Sequence, residues 1–192
     1  MSAWDADDPG NQRMDDQRDD RARALLERLG RPVRRALDVG CGRGAMLATL
    51  GLPGVGIDLG ILRLRLAPGP VAQADATRLP FPDGAFDLAV VSNVVSSIPA
   101  EPDRRAAARE VVRVLSADGV VLWYDQRWPN PANRATRPVT RRDLAALFPG
   151  ARFDLETLTV VPGLARALPR RYDTLHRIGP LRSHLIGLVR VA

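Results

Sequence analysis

Leu37-Asp38-Val39-Gly40-Cys41-Gly42-Arg43-Gly44 is the stretch that decides how this chain folds. Ala36 to Val39 is a short apolar run after basic residues and reads as a strand; Gly44 to Leu50 reads as the helix that follows. The glycines between them are spaced G-x-G-x-G. Lacking Cβ, they let the chain bend tightly and bring its amides close to a ligand. A dinucleotide turn needs G-x-G-x-x-G, which Ala45-Met46 does not supply, and the chain has no lysine for a triphosphate loop. Pyrophosphate ligands are therefore disfavoured. Asp38 points the same way, because a carboxylate at a strand end accepts from a cationic amino group and repels phosphate.

Downstream, Val55 to Ile57 reads as a second strand closing at Asp58, where an acid can take the two hydroxyls of a ribose, with Gly60 leaving room. Ile61 to Ala67 reads as a short helix stopped by Pro68, and Val71 to Ala74 as an edge strand. After it, the Asp75 carboxylate can accept from an adenine amino group and the Ala76 amide can donate to a ring nitrogen; the alternative for Asp75 is a helix cap. Phe86 to Val91 is fully apolar, as in a strand buried on both faces. Pro102 to Leu115 reads as a helix with Ala108, Val111, Val112 and Leu115 on its buried stripe. Gly119 opens a strand over Val120 to Tyr124. The alternation predicts an α/β fold, a parallel sheet with helices on both faces. Its crevice is built from loops 40–44, 58–60, 92–98 and 125–137.

Further on, Thr140 caps a helix to Phe148 and Phe153 to Val161 reads as a strand. Gly163 to Ile178 reads as helical with Pro169 interrupting it, and Leu185 to Val191 as a last, antiparallel strand. Upstream, residues 1–20 are rich in Asp, Gly, Pro and Asn and read as a flexible N-terminal leader or lid, with Trp4 as its aromatic. A helix over 21–30 follows, with Ala22, Leu25, Leu26 and Leu29 on one stripe. Residues 21–192 then form a single domain, with acceptor-side inserts near 126–140 and 162–181.

The 192 residues are 45% apolar and 26% charged, with net charge +6. All basic residues are arginine and they are scattered over every segment. Aromatics are only 5%, too few for a base-stacking platform, so a nucleic-acid partner is disfavoured. No apolar stretch is long enough for membrane insertion, and the N-terminus lacks the pattern of a secretory signal. A cytoplasmic protein, monomer or homodimer, is expected. Cys41 is the single cysteine, which excludes an internal disulfide and a cysteine-rich metal site; no metal is expected.

Four motifs occur in order: LDVGCGRG at 37–44, GIDLG at 56–60, ADATRLPFPDGAFD at 74–87 and EVVRVLSADGVVLW at 110–123. Over about residues 35–125 the chain resembles the class I S-adenosylmethionine-dependent methyltransferases. The resemblance implies a Rossmann-like, seven-stranded, mostly parallel sheet of order 3-2-1-4-5-7-6, with strand 7 antiparallel. It implies S-adenosyl-L-methionine as cofactor. Asp38, Gly40, Cys41, Gly42 and Gly44 are then placed at the methionine part, Asp58 with Leu59 at the ribose, Asp75 and Ala76 at the adenine, and Ser92 and Asn93 beside the methionine and methyl group. More closely, Ser96-Ser97-Ile98, Trp123-Tyr124-Asp125 with Asn130-Pro131, and Leu181-Arg182-Ser183-His184-Leu185 resemble a bacterial subgroup found among surface-polysaccharide and natural-product enzymes. Two features depart from the pattern: Arg43 stands where small or polar residues are usual, and Pro68 and Pro70 shorten the segment between Asp58 and Asp75.

The expected reaction is direct displacement of the methyl group onto an oxygen or nitrogen of a small molecule such as a natural product or sugar. The protein must align the nucleophile and exclude water; a base is needed only if the acceptor loses a proton. Asp125 is the leading candidate at the acceptor end, with a loop cap as the alternative. Tyr124 is a further candidate, although alternation sends it and Trp123 to opposite faces. His176 is the runner-up base, on an insert that could fold over the crevice, while His184 reads as structural. Arg127, Arg134 and Arg137, or Arg166, Arg170 and Arg171, could hold an acidic acceptor or form a solvated surface. The competing functions are an RNA or protein methyltransferase and a non-catalytic cofactor-binding subunit.

Overall fold

Every residue of β1, Ala36–Val39, is buried, because the strand has parallel neighbours on both edges: β2 (Gly54–Asp58) and β4 (Phe86–Ser92). A computed structural model describes residues 7–130, 133 and 135–191. In it, β3 (Val71–Gln73), β5 (Leu115–Gln126), β6 (Arg152–Val160) and β7 (Arg182–Arg190) complete a seven-stranded sheet of order β3-β2-β1-β4-β5-β7-β6. β7 runs antiparallel to β5 and β6, and the other pairings are parallel. This is the order that the resemblance implies.

Side-chain alternation sorts the sheet into two faces. Leu37, Val39, Ile57, Val91 and Trp123 pack under α4 (Glu101–Val114) and α5 (Arg141–Leu147). Ala36, Leu88, Val90, Leu122 and Ile186 pack under α1 (Pro9–Glu27) and α2 (Ala45–Thr49). Thr140 caps α5 in a reciprocal box: its hydroxyl accepts from the Asp143 amide while the Asp143 carboxylate accepts from the Thr140 amide.

Three expectations are corrected. Residues 9–20 are no flexible leader but the first half of α1. Asp8 caps it, accepting from the amides of Gly10 (2.8 Å) and Asn11 (3.0 Å), and Pro9 occupies its first turn. The Asp-Pro-Gly composition that read as a leader is thus a helix start, and Met14 is buried against Val160, Ala165 and Tyr172. Trp4 lies outside the described residues. Second, α3 (Ile61–Leu64) is a single turn and leaves Leu59, Leu62 and Leu66 exposed. Third, β5 begins at Leu115, directly at the end of α4, with an irregular register opposite Phe86 to Leu88. The 162–181 segment divides as Pro169 requires, into α6 (Pro162–Ala167), a 3-10 turn at Pro169–Arg171 and α7 (Tyr172–His176). Among the described residues no helix is long and apolar enough to cross a membrane.

Candidate functional site

The chain leaves β1 through a turn in which Gly40 and Gly44 have φ of +66° and +69°. A Cβ at Gly40 would lie 2.7 Å from Val94 Cγ2, and one at Gly44 would lie 2.7 Å from Ala67 Cβ. Only glycine meets both the left-handed backbone and this crowding. A Cβ at Gly42 would meet nothing within 4 Å, so the turn is open on that side. The Cys41 amide donates to the Ile57 carbonyl (2.8 Å), which ties the turn to β2. Burial beside the Asp38 and Asp58 carboxylates pushes the Cys41 thiol up to about 12, so it is no thiolate nucleophile.

Asp58 locks the turn from the next strand. Its Oδ2 accepts from the Gly42 amide (3.0 Å), and its Oδ1 from the Gly60 amide (2.6 Å) and from Arg63 Nη2 (2.7 Å). The sequence gives no warning of Arg63, whose reach follows from the one-turn α3. Beyond β3, Asp75 Oδ1 accepts from the Thr77 amide (2.8 Å) and hydroxyl (2.9 Å), so it closes a local turn rather than capping a helix. That loop is held from α4. Arg113 donates to the carbonyls of Leu79 (3.1 Å) and Phe81 (2.8 Å) and to Asp83 (2.7 Å), and Glu110 accepts from the Leu79 amide (2.7 Å). The motif E-V-V-R thus positions the loop that carries Asp75 and Ala76.

A cleft of about 440 Å³ opens between these loops and the end of β4. It brings together six residues picked out in the sequence, Gly40, Asp58, Leu59, Asp75, Ala76 and Asn93. Asn93 holds φ +54° and its amide donates to the Tyr124 carbonyl (2.7 Å). Asn tolerates this conformation better than most residues. Cys41, Gly42, Gly44 and Ser92 do not line the cleft.

Asp38 does not line it either. It borders a smaller cavity of about 270 Å³ under α2. Its carboxylate is buried, and Oδ2 has no hydrogen-bond partner among the described residues. Burial pushes the group up to about 7; the Arg18 guanidinium pulls it down and Asp58 pushes it up. A buried acceptor without a donor costs stability unless a ligand satisfies it. S-adenosylmethionine fits this set: an ammonium for Asp38, space beside Gly42, and hydroxyls and a base for the cleft between Asp58 and Asp75.

The acceptor-end candidates are corrected. Asp125 is fully buried, not at the mouth of the crevice. Its Oδ2 accepts from the Ser96 amide (3.0 Å) and its Oδ1 from the Gln126 amide (2.8 Å). Burial pushes it up to about 6, against these hydrogen bonds. It pins the 3-10 turn Val95–Ser97 to β5, the loop-cap alternative. Trp123 and Tyr124 are both core residues, because both faces of β5 are covered. Tyr124 hydrogen-bonds Thr159 (2.8 Å) and stacks on His184 with ring centres 4.7 Å apart, and burial pushes its phenol up. His184 is buried and held neutral, its pKa pushed down to about 3 by burial and by Arg18. His176 sits on α7 and stacks on Tyr172, and α7 packs on β6. It is therefore at the sheet edge opposite the cleft, which lies over β2 and β4. Burial pushes its pKa down.

Two arginines with structural reach are not evident from sequence. Arg104 is buried and donates to the carbonyls of Ile98 (2.7 Å) and Arg137 (3.2 Å), clasping the loops after β4 and β5. Arg18 projects from α1 over the Tyr124 ring. Of the arginine clusters, Arg127 lies over the Trp128 ring and donates to the Arg182 carbonyl (3.0 Å), while Arg134 is outside the described residues. No cluster of metal-ligating side chains occurs among the described residues.

Residues 37–123 match the family model described as a methyltransferase domain. Ajmaline N-methyltransferase of Rauvolfia serpentina is 27% identical over 128 residues, which cover 58% of this chain and 43% of that protein. The chain spans less than half the length of the curated relatives it matches. Among solved structures, a SAM-dependent methyltransferase from Archaeoglobus fulgidus superposes with a TM-score of 0.67 at 16% identity, over 90% of this chain and 94% of that one. The [4+2]-cyclase SpnF gives a TM-score of 0.67 at 20% identity, over 90% and 80%. At these identities the structural likeness establishes the fold.

Proposed function

We propose that residues 37–123, which match the methyltransferase-domain model, bind S-adenosylmethionine in the class I manner and that the chain passes its methyl group to an oxygen or nitrogen of a small molecule. When bound, the cofactor supplies an electrophilic methyl on a sulfonium. The observation that carries the reading is the pairing of a buried Asp38 oxygen, without a hydrogen-bond partner among the described residues, with a cleft walled by Asp58, Asp75 and Asn93. Asp38 holds the amino group, Asp58 the ribose, and the Asp75–Ala76 loop the adenine.

The chain's own contribution is orientation and exclusion of water. Asp125 and Tyr124 are internal, and their polar atoms are engaged by the protein. The reaction therefore rests on aligning an acceptor that already carries an available lone pair, with proximity as the main catalytic effect. A small acceptor of natural-product type is supported by the name of the ajmaline relative and by the closer sequence resemblance. SpnF favours a second reading, because it carries the same fold and is a cyclase. On that reading the chain binds the cofactor without transferring its methyl group.

Methyl transfer from labelled S-adenosylmethionine to a panel of amines, phenols and sugars separates the two. Acceptor-dependent formation of S-adenosylhomocysteine is expected. Tight cofactor binding with no transfer to any panel member would favour the second reading.

A further inference from the structure

Strand register places Asp38, Ser92, Tyr124, Gln126 and His184 on one face, at the carboxyl ends of β1, β4 and β5 and the amino end of the antiparallel β7. Asp38 pairs with Val90, Ser92 with Tyr124, and Gln126 with His184. Paired residues share a face, and residues two apart on a strand share it too. α1 covers this face: Ala22 and Leu25 pack into it, and Arg18 reaches over Tyr124, with Cζ 5.9 Å from the ring centre. Two buried polar atoms of this row lack a partner among the described residues, Asp38 Oδ2, an acceptor, and Gln126 Nε2, a donor.

Arg18 is held in place. Its Nη1 donates to Asp15 (2.8 Å), its Nε to Asp19 (2.7 Å), and Nη2 lies 2.7 Å from the same Asp19 oxygen. A guanidinium has five N–H groups in a rigid fork, so the two acids leave at least two of them uncommitted. The row thus offers a carboxylate acceptor at one end and, under α1, a braced guanidinium and an amide donor. That is the complement of a zwitterion, in which one charge is an ammonium and the other a carboxylate.

We propose that Arg18, assisted by Gln126, holds the carboxylate of the cofactor's amino-acid group while Asp38 holds its ammonium, so that α1 is one wall of the methionine site. The inference rests on the cofactor reading above and adds a positioning role for a helix outside the matched domain. The effect of Arg18 on Asp38, pulling its raised pKa down, agrees with their facing one another.

The test is calorimetric binding of S-adenosylhomocysteine and of its decarboxylated analogue, which keeps the amine and the adenosine. The unaltered chain is expected to prefer the carboxylate-bearing compound at least about tenfold, as for a charge-assisted hydrogen bond. In Arg18→Met that preference shrinks to about threefold or less, and in Gln126→Leu it shrinks partway. Equal affinity for the two compounds in the unaltered chain would overturn the role of Arg18 and leave the cofactor reading standing. So would an undiminished preference in Arg18→Met. If neither compound bound, the cofactor reading itself would fail, and this inference with it. Because the readout is a ratio on one protein, a general loss of stability in a variant does not mimic it.

Discussion

Arg63 Nη2 lies 2.7 Å from Asp58 Oδ1, the same carboxylate oxygen that accepts the Gly60 amide at 2.6 Å. The guanidinium therefore stands where a ribose hydroxyl would donate. Its side chain is 61% exposed while that of Asp58 is 6% exposed, so the pair sits at the rim and is worth at most about 1 kcal/mol. Replacing Arg63 with Ala frees an acceptor site and is expected to tighten S-adenosylhomocysteine binding by up to about fivefold. Calorimetry on Arg63→Ala checks this; weaker binding would mean that Arg63 contacts the ligand itself.

Asp38 makes cofactor affinity depend on pH. Burial holds its carboxyl at about 7, with Arg18 pulling down and Asp58 pushing up. An ammonium ligand binds the deprotonated form and lowers that value further. Affinity should therefore be constant above about pH 7 and fall by up to about tenfold per unit below it, with proton release on binding. In Asp38→Asn the profile flattens and affinity stays low throughout. A profile of the unaltered chain that is flat between pH 5 and 8 would contradict this.

Asp125 is expected to matter for stability and little for chemistry. Both its oxygens accept backbone amides, and an Asn side chain must turn its NH₂ toward one of those N–H groups. Asp125→Asn should cost about 1–3 kcal/mol in denaturant unfolding, with turnover per folded molecule within about twofold of the parent. A loss of turnover of a hundredfold or more, without loss of stability, would return Asp125 to the reaction.

Gly40 tests the turn directly. An Ala there must hold φ +66° and place its Cβ 2.7 Å from Val94 Cγ2. The backbone term alone is about 1–2 kcal/mol. Gly42→Ala has the same backbone cost but no clash, since nothing lies within 4 Å of its Cβ. Thermal unfolding should show Gly40→Ala as the more damaging of the two.

The strand ends that wall the cleft were legible because they are local, whereas the strand order came from the family resemblance. Asp58 ends β2, and Gly40 and Asp75 sit one and two residues beyond β1 and β3; a parallel sheet brings these strand ends together. The acceptor side was not legible, because Asp125 and Tyr124 owe their burial to β7 and the Ser96 turn, which are distant in sequence. α1 was misread from its start. Asp8, Pro9 and Gly10 look like loop composition, yet Asp8 and Pro9 cap and open a helix whose buried Met14 stands apart from the leucine stripe. Arg18 and Arg104 were invisible among twenty-eight basic residues, since only their carbonyl and carboxylate partners distinguish them.

The central claim is that a carboxylate at the tip of β2 and the glycine turn of β1 together bind S-adenosylmethionine. Titrating the purified chain with S-adenosylhomocysteine, beside Asp58→Ala, tests it most directly. The account predicts saturable one-site binding that weakens at least about tenfold in the variant, the loss of hydrogen bonds to a charged acceptor. No binding by the unaltered chain, or equal affinity in both proteins, would contradict it.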